Sequence, residues 1–305
     1  MANDAGPERT DDLPFVPYDS ANSLTADEFP GPVFHYTNQA GFLGIVRDKA
    51  IWATDLRYLN DSREYLVGFE RIFAELLTRT ASNPPLARIV GSALGRNRIE
   101  NAVGVSVASF SLAQDDLSQW RAYGGGTGGI CLGFEPRELA RRIHYTGSRL
   151  GAVRYTEQEQ SDIVDKVCAA ILVGANAVLS SKTSESFFSG RCGLTVQLAC
   201  ALMKHHKFAS EREWRMVVWS KLPPYVNAAV RPGRSMMIPY LSVQLDTVFN
   251  SQTNKFDLGA KLPLDTIWLG PTPHPQLAMR AASVALSTAS ELADLRVSEV
   301  PFRDW

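Results

Sequence analysis

The chain has 305 residues, of which 45% are hydrophobic and 10% aromatic, and its formal net charge is -1. That is enough apolar material for one large packed body or two small ones, and the charge excludes a broadly basic surface that would draw nucleic acid or an anionic membrane by itself. Cys131, Cys168, Cys192 and Cys200 show neither CxxC spacing nor companion histidines, so reduced, buried thiols in a cytoplasmic protein are expected, with no zinc site and no disulfide framework.

The opening MANDAGPERTDDLP is polar and acidic and offers no apolar segment for a secretory signal. Residues 1–30, rich in Asp, Glu, Pro, Ala and Ser, read as a flexible arm, and residues 31–305 as a single domain. VFHYT is a short strand, after which Thr37 or Asn38 can cap a helix with Phe42, Ile45 and Val46 on its inner face. IWATD is a second strand. The spacing of Leu66, Phe69, Ile72, Phe73, Leu76 and Leu77 then predicts a helix, with Asp61 and Glu64 fitting a capping box at its start.

AVGVSVASFS alternates, with Val103, Val105 and Val107 on one face, and GICLGFE reads as a buried strand. Over about 158–207, Ile163, Val164, Val167, Ile171, Leu172, Val178 and Leu179 form one helical stripe, and Leu194, Leu198 and Leu202 another. This predicts an insertion of two or three helices. Asp165, Lys166 and Asn176 interrupt its apolar run, which argues against a membrane span. EWRMVVW, SMMIPY, TIWLG and LRVSEVPF are strand candidates, and a late helix starts near Pro275. Strands and clustered helices without regular βαβα alternation indicate an α+β fold.

Five short pieces could carry chemistry. His35 sits at a strand-to-helix corner, with Tyr36 and Thr37 beside it. Ser109 and Ser111 share one face of a strand, with Phe110 on the other. Trp120, Arg121 and Tyr123 precede the glycine tract GGGTGG, a combination suited to stacking a ring and holding a phosphate. That tract precedes a strand and lacks the Lys-Ser/Thr of a phosphate loop. Glu211 and Glu213, with Arg215, stand where an apolar strand begins, and in an extended segment both acids point to one side. Each piece also has a plain structural explanation: a backbone-bonded histidine, serines bonded to neighbouring backbone, a core tryptophan, and acids paired with Arg212 and Arg215. Asn60, Asp61 and Glu64 of LNDSRE are explained as a helix cap.

The order of His, Ser-x-Ser and Glu-x-Glu along the chain resembles the ADP-ribosyltransferases. The larger set FHYT, NDSRE, SFS, LSQWRAYG, GICLGF, FASEREWR, IWLGP and VPFR is similar to the bacterial family called domain of unknown function 2971 (DUF2971). The resemblance implies an ADP-ribosyltransferase-like split mixed β-sheet with peripheral helices and a helical insertion. It implies NAD as the substrate, cleaved by a transferase or glycohydrolase. His35 would bond the adenosine-side ribose, and the backbone at Tyr36 and Thr37 would meet the nicotinamide amide. Ser109 and Ser111 would brace the pocket, Glu213 would stabilise the oxocarbenium-like centre, and Glu211 would orient the acceptor. Arg121 or Arg215 would hold the pyrophosphate, and Tyr36, Trp120 or Tyr123 would stack on nicotinamide.

The same resemblance suggests a bacterial toxin or phage-defence effector, with a macromolecular acceptor and an antitoxin or defence-system partner. Ser-Phe-Ser in place of Ser-Thr-Ser is a departure from the transferase pattern. Two alternatives stay open: a nucleic-acid-processing effector using His35, Glu211 and Glu213, and a non-catalytic nucleotide sensor.

Overall fold

The structure is a computed structural model and describes residues 29–59, 62–96, 105–126, 128–144, 148–219, 228–233, 235–250 and 252–301, without the side chains of 62–64, 96 and 250. The expected arm, apart from its last residues, the cap at Asn60, Asp61 and Glu64, and Val103 lie outside that description. In chain order the elements are β1 (Val33–Thr37), α1 (Gln39–Asp48), β2 (Ala50–Asp55), α2 (Ser62–Thr80), α3 (Pro84–Arg96), β3 (Val105–Ser111), α4 (Leu117–Tyr123), β4 (Ile130–Phe134), α5 (Pro136–His144), β5 (Arg149–Ala152), α6 (Glu157–Leu179) and α7 (Glu185–Ala201). They continue with β6 (Glu213–Trp219), β7 (Ala228–Pro232), β8 (Met237–Gln244), β9 (Val248–Asn250), β10 (Lys255–Asp257), β11 (Leu264–Leu269), α8 (Pro275–Thr288) and β12 (Asp294–Val297). Short 3₁₀ turns occupy Leu56–Tyr58 and His206–Glu211.

Where the sequence reads as one domain with an insertion, the described residues form two compact units. The helical unit lies within Leu66–Ala102 and Gln158–Cys200, so most of α2 and all of α3 belong with α6 and α7. Asn83 caps α3 by accepting from the Leu86 N–H at 3.2 Å, and Pro84 occupies the first turn, where no N–H is needed. On α2 the buried stripe runs through Tyr65, Phe69, Ile72 and Leu76, whereas Leu66 and Leu77 are exposed. The expected stripe is thus rotated, because all six apolar positions span too wide an arc for one face to cover. Arg71 ties α2 to α6 through Gln160 at 2.9 Å and Ser161 at 3.2 Å, and Arg79 pairs with Asp165. Among the described residues no helix is long and apolar enough to cross a membrane.

The second unit is an α+β body on a ten-stranded mixed sheet, with the path β12-β11-β4-β1-β3-β2-β8-β7 and with β6 joining β3 to β5. β11 and β12 run parallel, and the other pairs are antiparallel. β4 is buried at all five positions, as its unbroken apolar run requires of a central strand. Ile45 and Val46 of α1, Leu139 and Ile143 of α5, and Ala282 and Leu286 of α8 cover the sheet and share its core with Leu132, Phe134, Ile267 and Met216. Burying each of the large side chains contributes roughly 1.5–3 kcal/mol before chain entropy is counted.

The sheet forks at β3. One edge of β3 pairs with β6 along its whole length, from Val105↔Trp219 to Ser111↔Glu213. On the other edge β2 takes its start, through Asp55↔Ser106 and Thr54↔Val107, and β1 takes its end, through Phe34↔Ser111. Ala108, Ser109 and Phe110 therefore have no strand partner on that edge. Backbone groups alternate between the two edges of a strand, and the Leu112 N–H bond to the Arg212 carbonyl sets that alternation so that, of these three, Ser109 turns its N–H and C=O to the unpaired edge, where the space between β1 and β2 becomes a cleft.

Candidate functional site

A cavity of about 650 Å³ fills the fork, within the size range of small-molecule sites. β1 supplies Phe34, His35, Tyr36 and Thr37 to one wall, followed by Asn38 and the first turn of α1. β2 and β7 supply Trp52, Thr54 and Arg231 to the opposite wall. Ser109 and Ser111 form the floor, Glu211 and Glu213 close one side, and Gln119 and Tyr123 of α4 complete the lining.

His35 answers the backbone problem at the fork. Its Nδ1 donates to the unpaired Ser109 carbonyl at 2.9 Å, which fixes the neutral tautomer and leaves Nε2 as an acceptor. Burial lowers the imidazole pKa below its ordinary value, and the bond to Ser109 offsets this only in part. The sign follows directly: the folded form resists a proton that the unfolded chain accepts, so stability is lost as pH falls below about 6.5. We expect the melting temperature to drop between pH 7.5 and 5.5, and to drop less in His35→Asn, at a slope of at most about 1.4 kcal/mol per pH unit for this one group. An unchanged pH profile in the variant would show that His35 does not carry the effect.

The two acids do not lie along one extended segment. Glu211 ends a 3₁₀ turn, Arg212 takes a left-handed conformation with φ 46°, and Glu213 begins β6. A non-glycine residue there costs about 1–2 kcal/mol. The turn brings both carboxylates to one cation, Lys204, whose Nζ lies 2.8 Å from Glu211 Oε2 and 3.1 Å from Glu213 Oε2. Arg215 also donates to Glu213, from Nε at 2.8 Å and from Nη2 at 3.1 Å, and to the Ala201 carbonyl at 2.8 Å. Ser109 also favours the charged form of the Glu213 carboxyl. Burial alone would raise the Glu213 carboxyl pKa, but Arg215, Lys204 and Ser109 outweigh it and hold the group below the usual carboxylate range. Two cations and two anions cancel here, so the cluster carries no net charge.

Ser111 braces this turn, donating to the Glu211 carbonyl at 2.7 Å and accepting from the Ala113 N–H at 3.0 Å. Tyr155 accepts from the Glu213 N–H at 2.8 Å. Tyr36 is held at its hydroxyl, which donates to the Ala113 carbonyl at 2.7 Å and accepts from the Asp116 N–H at 3.0 Å. The Thr37 side chain lies against the first turn of α1, where a Cβ on Gly41 would fall 2.0 Å from its hydroxyl, so only glycine fits. Asn38 supplies the cap, accepting from the Gly41 N–H at 2.8 Å.

His35, Tyr36, Thr37, Ser109, Ser111, Tyr123, Glu211 and Glu213 thus meet at one cleft, and three expected residues do not line it. Trp120 is 1% exposed, packs edge-on against Tyr36 with ring centroids 4.8 Å apart, and donates from Nε1 to Asp115 at 2.8 Å. It is a core residue and does not reach the cleft as a stacking surface. Arg215 is 3% exposed and committed to Glu213, which removes it as a pyrophosphate ligand. Arg121 is exposed and outside the lining. The glycine tract serves packing: Gly125, Gly126 and Gly128 have φ of 72°, 99° and 79°, and a Cβ on Gly129 would meet Gly124 Cα at 2.6 Å and the Trp120 ring at 3.2 Å.

Trp52, Thr54 and Arg231 line the cleft, and Lys204 joins its two acids, without having been singled out from the sequence. The alternation in IWATD places Trp52 and Thr54 on one strand face and was a usable signal. Nothing local marks Lys204 or Arg231. All four cysteines are free and buried. Among the described residues no group of three or more His, Cys, Asp or Glu side chains is placed to hold a metal ion.

Residues 119–216, about a third of the chain, match the family model described as Protein of unknown function (DUF2971). The match takes in Glu211, Glu213 and Arg215 and bears out the family recognised from the motifs. No curated protein and no solved structure matches the chain.

Proposed function

We propose that this member of the DUF2971 family binds NAD in the forked cleft and breaks the nicotinamide–ribose bond, passing ADP-ribose to a macromolecular acceptor or to water. The observation that carries the reading is the convergence at one fork of His35 from β1, the Ser109 and Ser111 pair from β3, and Glu211 and Glu213 from the turn that leads into β6. An ADP-ribosyltransferase-like split sheet is the finer form of this fold that we infer from it.

In hydrolysis, a water oxygen bonds to the ribose C1′ as the C1′–N bond breaks. The bonding pair goes to the pyridinium nitrogen, neutral nicotinamide leaves, and the water yields a proton. Positive charge builds on the sugar along the way, and a fixed carboxylate is more useful to that state than to the ground state. Glu213 is shared between Lys204 and Arg215, so its own field is weakened. Glu211 is bound at Oε2 by Lys204 and is 22% exposed at its side chain, so it offers the more available oxygen. Neutral His35 Nε2 suits a ribose hydroxyl as donor.

The clamped Glu213 also favours a second reading, in which the cleft binds a nucleotide without cleaving it. Nicotinamide release by the purified protein decides between the two. We expect His35→Ala and Glu211→Gln to lower release by about 10²–10³-fold, measured below the melting temperature of each variant. NAD binding by calorimetry without release would establish the second reading, and neither binding nor release would overturn both.

A further inference from the structure

The cleft has a second chemical end, opposite the acids. Arg231 stands on the edge strand β7 and reaches past β8 to β2, donating from Nη2 to Thr54 Oγ1 at 3.1 Å. Its Nε is buried and has no hydrogen-bond partner, and no carboxylate among the described residues is paired with it. A guanidinium has five N–H donors and never loses its charge in a protein. Holding one half-buried with a desolvated donor and no counter-ion is unfavourable unless something else completes it. Here the guanidinium lines a cavity with room for a ligand.

Trp52 belongs to the same wall. It shares a face of β2 with Thr54, is 39% exposed, and is backed by Tyr240, with ring centroids 4.4 Å apart and planes 28° apart. A stacked tryptophan presents one rigid flat face, which suits a planar heterocycle. From these observations we infer that Arg231 and Thr54 form a phosphoryl-binding subsite, so that the cleft recognises nucleotides rather than nucleosides. This deepens the nucleotide reading of the cleft and rests on a nucleotide occupying it, but does not depend on cleavage. It also supplies the anion ligand that Arg121 and Arg215 do not provide.

The test is calorimetric titration of wild type, Arg231→Gln and Arg231→Lys with ADP, adenosine and inorganic pyrophosphate. Wild type binds ADP at least about tenfold more tightly than adenosine, and pyrophosphate competes with ADP. Arg231→Gln brings ADP to the level of adenosine and leaves adenosine unchanged, while Arg231→Lys keeps part of the preference through its point charge. The unliganded Arg231→Gln protein melts at or above the wild-type temperature, because it no longer holds a desolvated donor; a merely structural arginine would lower it.

Equal affinity of wild type for ADP and adenosine, survival of the ADP preference in Arg231→Gln, or no binding of ADP and pyrophosphate at millimolar concentration each overturns the assignment. An Arg231-dependent ADP preference in a protein that never releases nicotinamide supports the subsite and removes the cleavage reading alone.

Discussion

Glu213→Gln is expected to lower stability by about 3–5 kcal/mol, because it leaves Lys204 and Arg215 buried without the carboxylate they share. Lys204 is 4% and Arg215 3% exposed at the side chain, so neither cation can recover its hydration without opening the sheet edge. Glutamine keeps an acceptor oxygen for Arg215 but no charge, and its N–H₂ group faces donors. A companion substitution checks the cause. Glu213→Gln with Lys204→Met removes one stranded cation, and thermal or urea unfolding should show the double variant well above the sum of the two single losses. A single variant that melts with wild type would mean that the buried cluster is not held as described. The result bears on function too: lost nicotinamide release in Glu213→Gln is informative only below that variant's melting temperature, which is why Glu211 and His35 are the better probes of the site.

Trp120→Ala should cost a similar amount, about 3–5 kcal/mol, through the void left in place of a 1% exposed ring. The ring is a hub: it packs against Tyr36, Gly129 and Gly270, and its indole N–H is bonded to Asp115. Asp115 in turn holds the Ser298 hydroxyl and accepts from the Glu299 N–H at 2.9 Å. Removing the ring strands this acceptor network and frees Tyr36 on the cleft wall, so ligand binding should weaken together with stability. Trp120→Phe, which refills most of the void, should recover the larger part of the melting temperature. If Trp120→Ala lost binding while its unfolding midpoint stayed at the wild-type value, the residue would be acting on ligand directly and its core placement would be wrong.

Determined by the sequence alone were the features that depend on neighbours a few residues away. A cap at Thr37 or Asn38, which the structure resolves to Asn38, the inner face of the first helix and the apolar run of Ile130–Phe134 were readable because capping and periodicity are local. The family could be recognised for the same reason, from short motifs in order. Chain order also selected His35, Ser109, Ser111, Glu211 and Glu213, which do share one cleft.

The tertiary structure decided what long-range pairing creates. The fork in β3 exists because β1 and β2 take different ends of one strand edge, and no residue spacing announces that. The left-handed Arg212 replaced an extended Glu-x-Glu by a turn around Lys204, a residue with no local signal of its own. Trp120 and Arg215, which looked like ligand contacts, are spent on the core and on Glu213, since burial depends on what packs over a residue rather than on its type. Arg231 entered the site from an edge strand reached through β8, far along the chain from the Thr54 it meets. Charge and hydrogen-bond balance inside a cleft are sums over all its walls, and the walls are set only when the sheet closes.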